Sequence, residues 1–223
     1  MNASARSVIL DNLRRGRAAT APAGFPRPRP DVALRRAEPH CVDFDHFAEK
    51  LTALGPTFEL AATPEAAKAA IAAVAAREGV KTAVRWDHPD LEAVGAVAVL
   101  EEAGVAVLTP GELPERACPA LGAVDMGITG AAYALCATGS LILTAGVGMP
   151  RTAALVPRLH VALVSASRLL PDLPALCDRL AGRPMPSAVN CVSGVSSTGD
   201  IEFVYVRGVH GPLAVHVIGL AWR

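Results

Sequence analysis

The stretch SGVSSTGDIEFVYVRGVHGP, residues 193–212, gathers small hydroxyls, glycines and isolated ionisable groups in a chain otherwise rich in Ala, Val and Leu. Ser193, Gly194, Ser196, Ser197, Thr198 and Gly199 come first, then Asp200 and Glu202, then Gly208, His210, Gly211 and Pro212. Apolar runs flank it, residues 187–192 before and 213–220 after. A strand that feeds a glycine/hydroxyl turn opening a helix is a ready anion site, because short donors and backbone N–H groups converge at the positive helix end. A helix cap would account for one such residue; five hydroxyl or carboxylate side chains precede Ile201 here. Asp200 and His210 are the candidate acid–base groups of this run. Imidazole titrates near neutrality, and Asp200 lies beside a glycine rather than on a solvated helix face. Ser193, Gly194, Ser196 and Thr198 are its candidate ligand-binding residues.

Three more segments have the same character. VDMGITGAA (124–132) sets Asp125 and Thr129 beside Gly127 and Gly130. ATGSL (137–141) is a hydroxyl–glycine–hydroxyl turn of Thr138, Gly139 and Ser140 just before a strand. GMPRTAALVPRLH (148–160) offers Arg151 and Arg158 to a carboxylate or phosphate. Asp125 becomes a third candidate catalytic acid or base, and Thr129, Thr138, Gly139, Ser140 and Arg151 join the ligand-binding set. Each turn taken singly is explained by a tight turn that needs glycine. Ligands of parallel α/β sheets bind outside the carboxyl ends of the strands, so these turns are expected to share one crevice there, around a small anion. Arg85, Trp86, Asp87 and His88 end another strand and offer a weaker signal for the same cleft. His216 alternates with apolar residues and reads as structural. No strand is followed by G-x-G-x-x-G, and there is no Walker A sequence and no G-x-S-x-G elbow.

The elements that must position these residues alternate. Residues 44–54 read as a helix stopped by Gly55-Pro56, and 57–61 as a strand. Thr63 caps an Ala-rich helix over 64–78 that has Pro at its first turn and Gly79 past its end. A strand over 80–86, a helix over 90–103 and a strand over 105–108 follow. Then come a strand at 124–128, a short helix at 131–136, and strands at 140–144 and 160–165. A helix over 167–180 is capped by Ser167, with Pro171 and Pro174 able to move its start to Pro171. Strands at 189–193 and 213–220 end the series, the last closing the sheet. This alternation predicts an α/β fold, a mostly parallel sheet covered by helices.

Eight arginines fall within the first 36 residues against Asp11 and Asp31, so the remainder is acidic. Residues 4–17 predict a short helix with Val8, Ile9 and Leu13 on one side; Pro22, Pro26, Pro28, Pro30 and Pro39 then forbid regular structure. The chain is therefore divided into an arm, 1–40, and an α/β domain, 41–223. The arm's basic charge lacks interleaved aromatics, which disfavours nucleic acid. No charge-free apolar run spans a membrane, and the polar, Arg-rich start is unlike a signal peptide, so a cytoplasmic location is expected. The five cysteines are scattered, so neither a structural metal nor an iron–sulfur cluster is expected in this chain.

DMGITGAAYALCATGSLIL, LVPRLHVALV and SGVSSTGDIEFVYVRGVHGPLAVHVIGL resemble, in order, the LUD domain of the LutC/YkgG family, the lactate utilisation protein C group. The resemblance runs over roughly residues 80–220 and is most specific at GIT-G, TGS and STGDIE…GVHGP. It implies a three-layer α/β/α fold like the NagB/RpiA/CoA-transferase group. It also implies a part in oxidising L-lactate to pyruvate beside two partner proteins that carry iron–sulfur clusters. Ala137 stands where the family commonly has Glu, so a glutamate nucleophile of the CoA-transferase kind has no counterpart at this turn. Val195 and Ser197 replace the family's Pro and basic residue, and Gly199 replaces Ala.

The expected function is a non-redox subunit of an L-lactate oxidation system that binds a small anionic ligand or a partner and holds no cofactor itself. Whether the chain is catalytic alone, as part of an L-lactate dehydrogenase complex, or self-associates is left open by the residues. Two alternatives stand beside this. One is a stand-alone enzyme on small carboxylates, phosphates or CoA esters; the other is a regulatory or nucleic-acid-binding module using the basic arm.

Overall fold

The computed structural model describes residues 5–20, 41–112, 123–198, 206–208 and 210–223; Asp200 lies outside them. The chain forms two compact units, Met1–Arg35 and Arg36–Arg223. The first contains helix α1 (Ala5–Thr20), longer at its end than the predicted 4–17, with Val8, Ile9 and Leu13 exposed along it.

The second unit is built on a six-stranded sheet, all of whose pairs are parallel, in the order β1-β12-β7-β4-β2-β3. Its strands are β1 (Thr57–Ala61), β2 (Thr82–Arg85), β3 (Ala106–Leu108), β4 (Met126–Gly130), β7 (Leu159–Ser165) and β12 (Ala214–Leu220). Side chains alternate across a strand, and β7 shows the result. Leu159, Val161 and Leu163 enter one core, whereas Ala162 and Val164 enter the other. The first core lies under α3 (Pro64–Arg77), α4 (Pro89–Val94) and α5 (Ala96–Glu102), which contribute Ile71, Val74, Leu91 and Leu100. Thr63 caps α3 by accepting from the Ala66 N–H, as the sequence predicts. The single helix expected over 90–103 is two, because Gly95 adopts φ 71° and breaks the run, a left-handed conformation natural to glycine.

The other face is covered by α2 (Phe44–Thr52), α6 (Thr152–Leu155) and a second sheet. Phe44, Phe47 and Leu51 of α2 are buried there with Trp86 and Leu143. α6 approaches β4 so closely that a Cβ on Gly127 would lie 1.7 Å from the Ala153 carbonyl oxygen. The second sheet has the order β8-β5-β6-β9, from β5 (Tyr133–Leu135), β6 (Ser140–Ala145), β8 (Leu169–Leu170) and β9 (Ala188–Val192). Helix α7 (Leu173–Leu180) packs Leu176 on it, against Leu135, Ile142 and Leu170.

The two sheets depart from the sequence expectation in three places. Residues 131–136, expected to be helical, hold β5, since a tight turn with Gly139 at φ 63° returns the chain antiparallel onto β6. Residues 169–170 form β8 instead of a helix start. Pro disfavours helical backbone at the residue before it, and α7 begins only after Asp172 caps it through the Ala175 N–H. β12, expected to close the sheet, lies inside it between β1 and β7.

Candidate functional site

β6 and β9 are antiparallel with Leu141 opposite Val192. One step further along that register, Ser140 meets Ser193, and their hydroxyl oxygens lie 2.7 Å apart. Ser140 Oγ is also 2.7 Å from Thr138 Oγ1, across the turn that links β5 to β6. Ser193 Oγ has Cys191 Sγ 3.8 Å away. Three hydroxyls thus form a row, with Ser140 buried in the middle and Thr138 and Ser193 exposed at its ends. Each hydroxyl has one proton to donate. Two O–H···O bonds use two of the three, and burial obliges Ser140 to spend its own inside the row. The third proton is left at an exposed end of the row, on Thr138 or on Ser193; beside Ser193 stands only the weak acceptor Cys191 Sγ, which a carboxylate or phosphate would outcompete.

Ser193 opens onto a cleft of about 420 Å³ that Gly194, Ser196 and His210 line with it, against Leu54 and Leu155. Ser196 ties the two ends of the Ser193–Pro212 run together. Its N–H donates to the Pro212 carbonyl at 3.2 Å, its carbonyl accepts from the Gly208 N–H at 2.9 Å, and its Oγ accepts from the His210 N–H at 3.2 Å. Between these ties β10 (Ser197–Thr198) pairs with β11 (Val206–Arg207). His210 is exposed at the cleft. Thr198 is placed by its backbone in β10.

The other predicted site residues have different surroundings. Gly139 is buried against α2, where a Cβ would come 2.2 Å from the Leu51 nitrogen; its missing side chain makes room for a helix. Thr129 is inside the sheet, its Oγ1 2.9 Å from His160 Nε2, with neither residue exposed. Asp125 joins the amino ends of β2 and β4. Its Oδ2 accepts from the Lys81 N–H, the Thr82 N–H and the Thr82 hydroxyl, and its Oδ1 lies 3.5 Å from Arg158 Nε. The Lys81 N–H above all holds this carboxyl below its ordinary pKa, so it serves as an ionised clip. Arg151 is exposed at the start of α6, whose Ala154 and Leu155 line the cleft.

The cleft also lies on the other edge of the sheet from the one expected. Val215, which lines it, is at the amino end of β12, and Val195 packs on Gly55 just before β1. At the carboxyl edge the chain turns from β2 outward to β3 and from β4 the opposite way to β7, which marks the crevice where open α/β sheets place ligands. Protein fills its β4 side here, whereas Arg85, Val107 and Thr109 at the carboxyl ends of β2 and β3 line an open pocket of about 560 Å³ with Leu91, Glu92 and Ala96 of α4 and α5. The His88 ring occupies the space over Gly130, where a Cβ would lie 1.9 Å from Nδ1. Buried Asp90 accepts from Arg223 Nε at 2.7 Å, and the Arg223 carbonyl accepts from the Ser167 N–H at 3.0 Å. Burial holds the His88 imidazole below its ordinary pKa, against the pull of Asp90. Trp86 Nε1 donates to the Pro150 carbonyl at 2.9 Å, so the RWDH segment is structural except for Arg85 and Asp87, which pair with each other near the surface.

Sequence reasoning missed Leu54, Leu155 and Cys191 as cleft residues. An isolated leucine or cysteine carries no local sign of what it faces. Among the described residues, no three His, Cys, Asp or Glu side chains are grouped to hold a metal ion, and no helix is long and apolar enough to cross a membrane.

The LUD domain family matches this chain over residues 44–219. Lactate utilization protein C of Halalkalibacterium halodurans is 34% identical over 141 residues, 60% of this chain and 60% of that protein. The Escherichia coli K12 protein YkgG is 34% identical over 167 residues, 72% of this chain and 71% of its own length. The chain thus spans about three fifths of the first relative and about seven tenths of the second. Among solved structures, a DUF162 family protein from Deinococcus radiodurans superposes with a TM-score of 0.54 at 19% identity, covering 79% of this chain and 95% of that one, which establishes the common fold. With the matched region running from α2 into β12 and taking in both the Thr138–Ser140 turn and the Ser193–Pro212 run, the chain belongs to the LUD domain family, in its LutC/YkgG group.

Proposed function

We propose that this chain is a non-redox component of an L-lactate oxidation system, acting beside iron–sulfur proteins, and that the Ser140–Ser193 cleft binds an anionic ligand. The lactate role rests on the name of its relative, lactate utilization protein C, and the ligand role on the hydroxyl row. That row, with one unspent O–H at an exposed end, is the observation that supports an anion site best. The cleft wall refines the ligand. Leu54, Leu155, Val192, Val195 and Val215 surround the serines, and the described residues that line the cleft include no Lys or Arg. A ligand held there meets neutral donors at its charged head and apolar side chains along its body.

Binding of acetate, butyrate and hexanoate tests this by NMR titration. Each buried methylene contributes about 0.8 kcal/mol, so affinity should climb along the series, with chemical-shift changes centred on Ser140, Ser193 and Ser196. Equal affinity for all three acids, or changes elsewhere, would remove the cleft as the site. The lactate role has its own test. The purified chain should not reduce a dye with L-lactate, and should raise the rate when added to its iron–sulfur partners; turnover by the chain alone would contradict it.

A further inference from the structure

β9 (Ala188–Val192) ends the second sheet, with β6 on one side of it only. Along an antiparallel strand the hydrogen-bonding groups alternate in direction, the N–H and C=O of one residue facing the same neighbour. The Ile142 carbonyl accepts from the Ala132 N–H at 2.9 Å, on the β5 side of β6. Leu141, Leu143 and Ala145 therefore face β9, where their register partners are Val192, Asn190 and Ala188. Val189 and Cys191 are left turned outward. Each has one N–H and one C=O that make no hydrogen bond to any described residue.

A free edge of this kind takes up another strand unless it is short or charged. The other strands that end the two sheets are blunted in one of those ways. β1 exposes Glu59, β3 has three residues and β8 has two. β9 has five, and no charged side chain stands between Arg183 and Asp200. An identical strand can therefore lie against it with no like charges facing, which a charged edge would not allow. The outward groups are placed symmetrically about Asn190, so an antiparallel copy answers all of them at once, under the two-fold symmetry that closes most dimers.

We infer that the β9 edge binds a second copy of this chain, antiparallel, with Asn190 on the two-fold axis, and so joins two four-stranded sheets edge to edge. The Val189 N–H donates to the Cys191 carbonyl of the partner subunit, and the Cys191 N–H to the Val189 carbonyl of the partner subunit. The same two bonds run in the other direction. Asn190 meets Asn190 of the partner subunit as a non-hydrogen-bonded pair, with Cα atoms about 4.5 Å apart. This register also sets Ser187 of the partner subunit opposite Ser193, and both serines are exposed in the single chain. The second copy thus brings a further hydroxyl to the exposed end of the row. The pairing itself does not depend on what the cleft binds.

Sedimentation of the full chain through a dilution series should show a species of twice the chain's mass that dissociates on dilution. Cys191→Pro removes an N–H that the single chain does not use, at an exposed position on an edge strand, where proline is tolerated. It should keep the wild-type circular dichroism and weaken the dimer about tenfold or more, since each copy loses one interface hydrogen bond. Asn190→Cys, made together with Cys191→Ser, should form a disulfide between copies under mild oxidation, because a Cα spacing of about 4.5 Å is within reach of that bond. Cys191→Ser alone should not cross-link. A monomer at every concentration overturns the proposal. So does a Cys191→Pro dimer as tight as the wild type, or an Asn190→Cys dimer that no oxidation cross-links. Should Cys191→Pro fail to fold, the disulfide decides.

Discussion

Ser140 Oγ lies 2.7 Å from Ser193 Oγ across the end of the antiparallel β6–β9 pair, joining two segments 53 residues apart in sequence. Of the two, Ser140 is buried and Ser193 exposed, so their replacement should separate stability from binding. Ser140→Ala removes the middle of the row and should destabilise the fold by about 0.5–1.5 kcal/mol per lost hydrogen bond. Ser193→Ala should leave the urea midpoint almost unchanged. Equal losses for the two would mean that the row serves the fold alone.

Gly139→Ala should be far more damaging than either serine change. The glycine has φ 63°, and an added Cβ would lie 2.2 Å from the Leu51 nitrogen of α2. A backbone atom cannot swing aside as a side chain can, so α2 must move off the core that Phe47 and Leu51 fill. A loss of about 3 kcal/mol or more is expected, in the range of other core disruptions. A variant that melts like the wild type would show that the turn can shift without moving α2.

How much of this was legible beforehand differs from residue to residue. The Thr63–Pro64 start of α3 and the mostly apolar β7 were readable because caps and short apolar runs are local signals. The partner of a strand is not local. β6 and β9 looked like members of the main sheet, and only the turn at Gly139 and the antiparallel register put them in a second one. The serines of the cleft stood out by their chemistry, but Gly139 looked like part of a ligand turn because α2, which it accommodates, is far away in sequence. Thr129 and Asp125 have the residue types of a site and are spent on His160 and on the Lys81–Thr82 backbone.

Two depressed histidines set an acid limit on stability. Burial lowers His160 and His216 to about 4. The unfolded chain takes up these protons near pH 6.5, whereas the folded chain refuses them until about pH 4. Stability is thus complete above pH 6.5, falls between 6.5 and 4, and changes no further from these groups below that. At pH 5 each histidine should have removed roughly 2 kcal/mol. Urea melts at pH 7 and pH 5 measure this; equal stability at the two would contradict it.

Thr129→Val should cost about 1–3 kcal/mol by leaving His160 Nε2 without its 2.9 Å partner in the core. Ligand affinity at the cleft should not change. A Thr129→Val variant that keeps its stability and loses binding would return Thr129 to the site.

The Asp90–Arg223 pair predicts an asymmetry. Arg223 is 38% exposed, whereas Asp90 is only 5% exposed at its side chain. Solvent screens the charge attraction in part; the larger effect is to leave a buried carboxylate unanswered. Arg223→Ala should therefore destabilise by about 1–3 kcal/mol, and Asp90→Asn, which keeps an acceptor and sheds the charge, by less. The reverse order in thermal melts would contradict this account of the Asp90–Arg223 pair.

The dissociation constant of butyrate for the wild type and for Ser193→Ala, measured by NMR titration on the full chain, bears most directly on the hydroxyl cleft as the functional site. Ser193 is exposed, so a change in affinity is not a change in folding. Loss of one neutral hydrogen bond predicts weakening by about 3- to 10-fold with the melting temperature held. The same dissociation constant in both proteins would contradict the assignment.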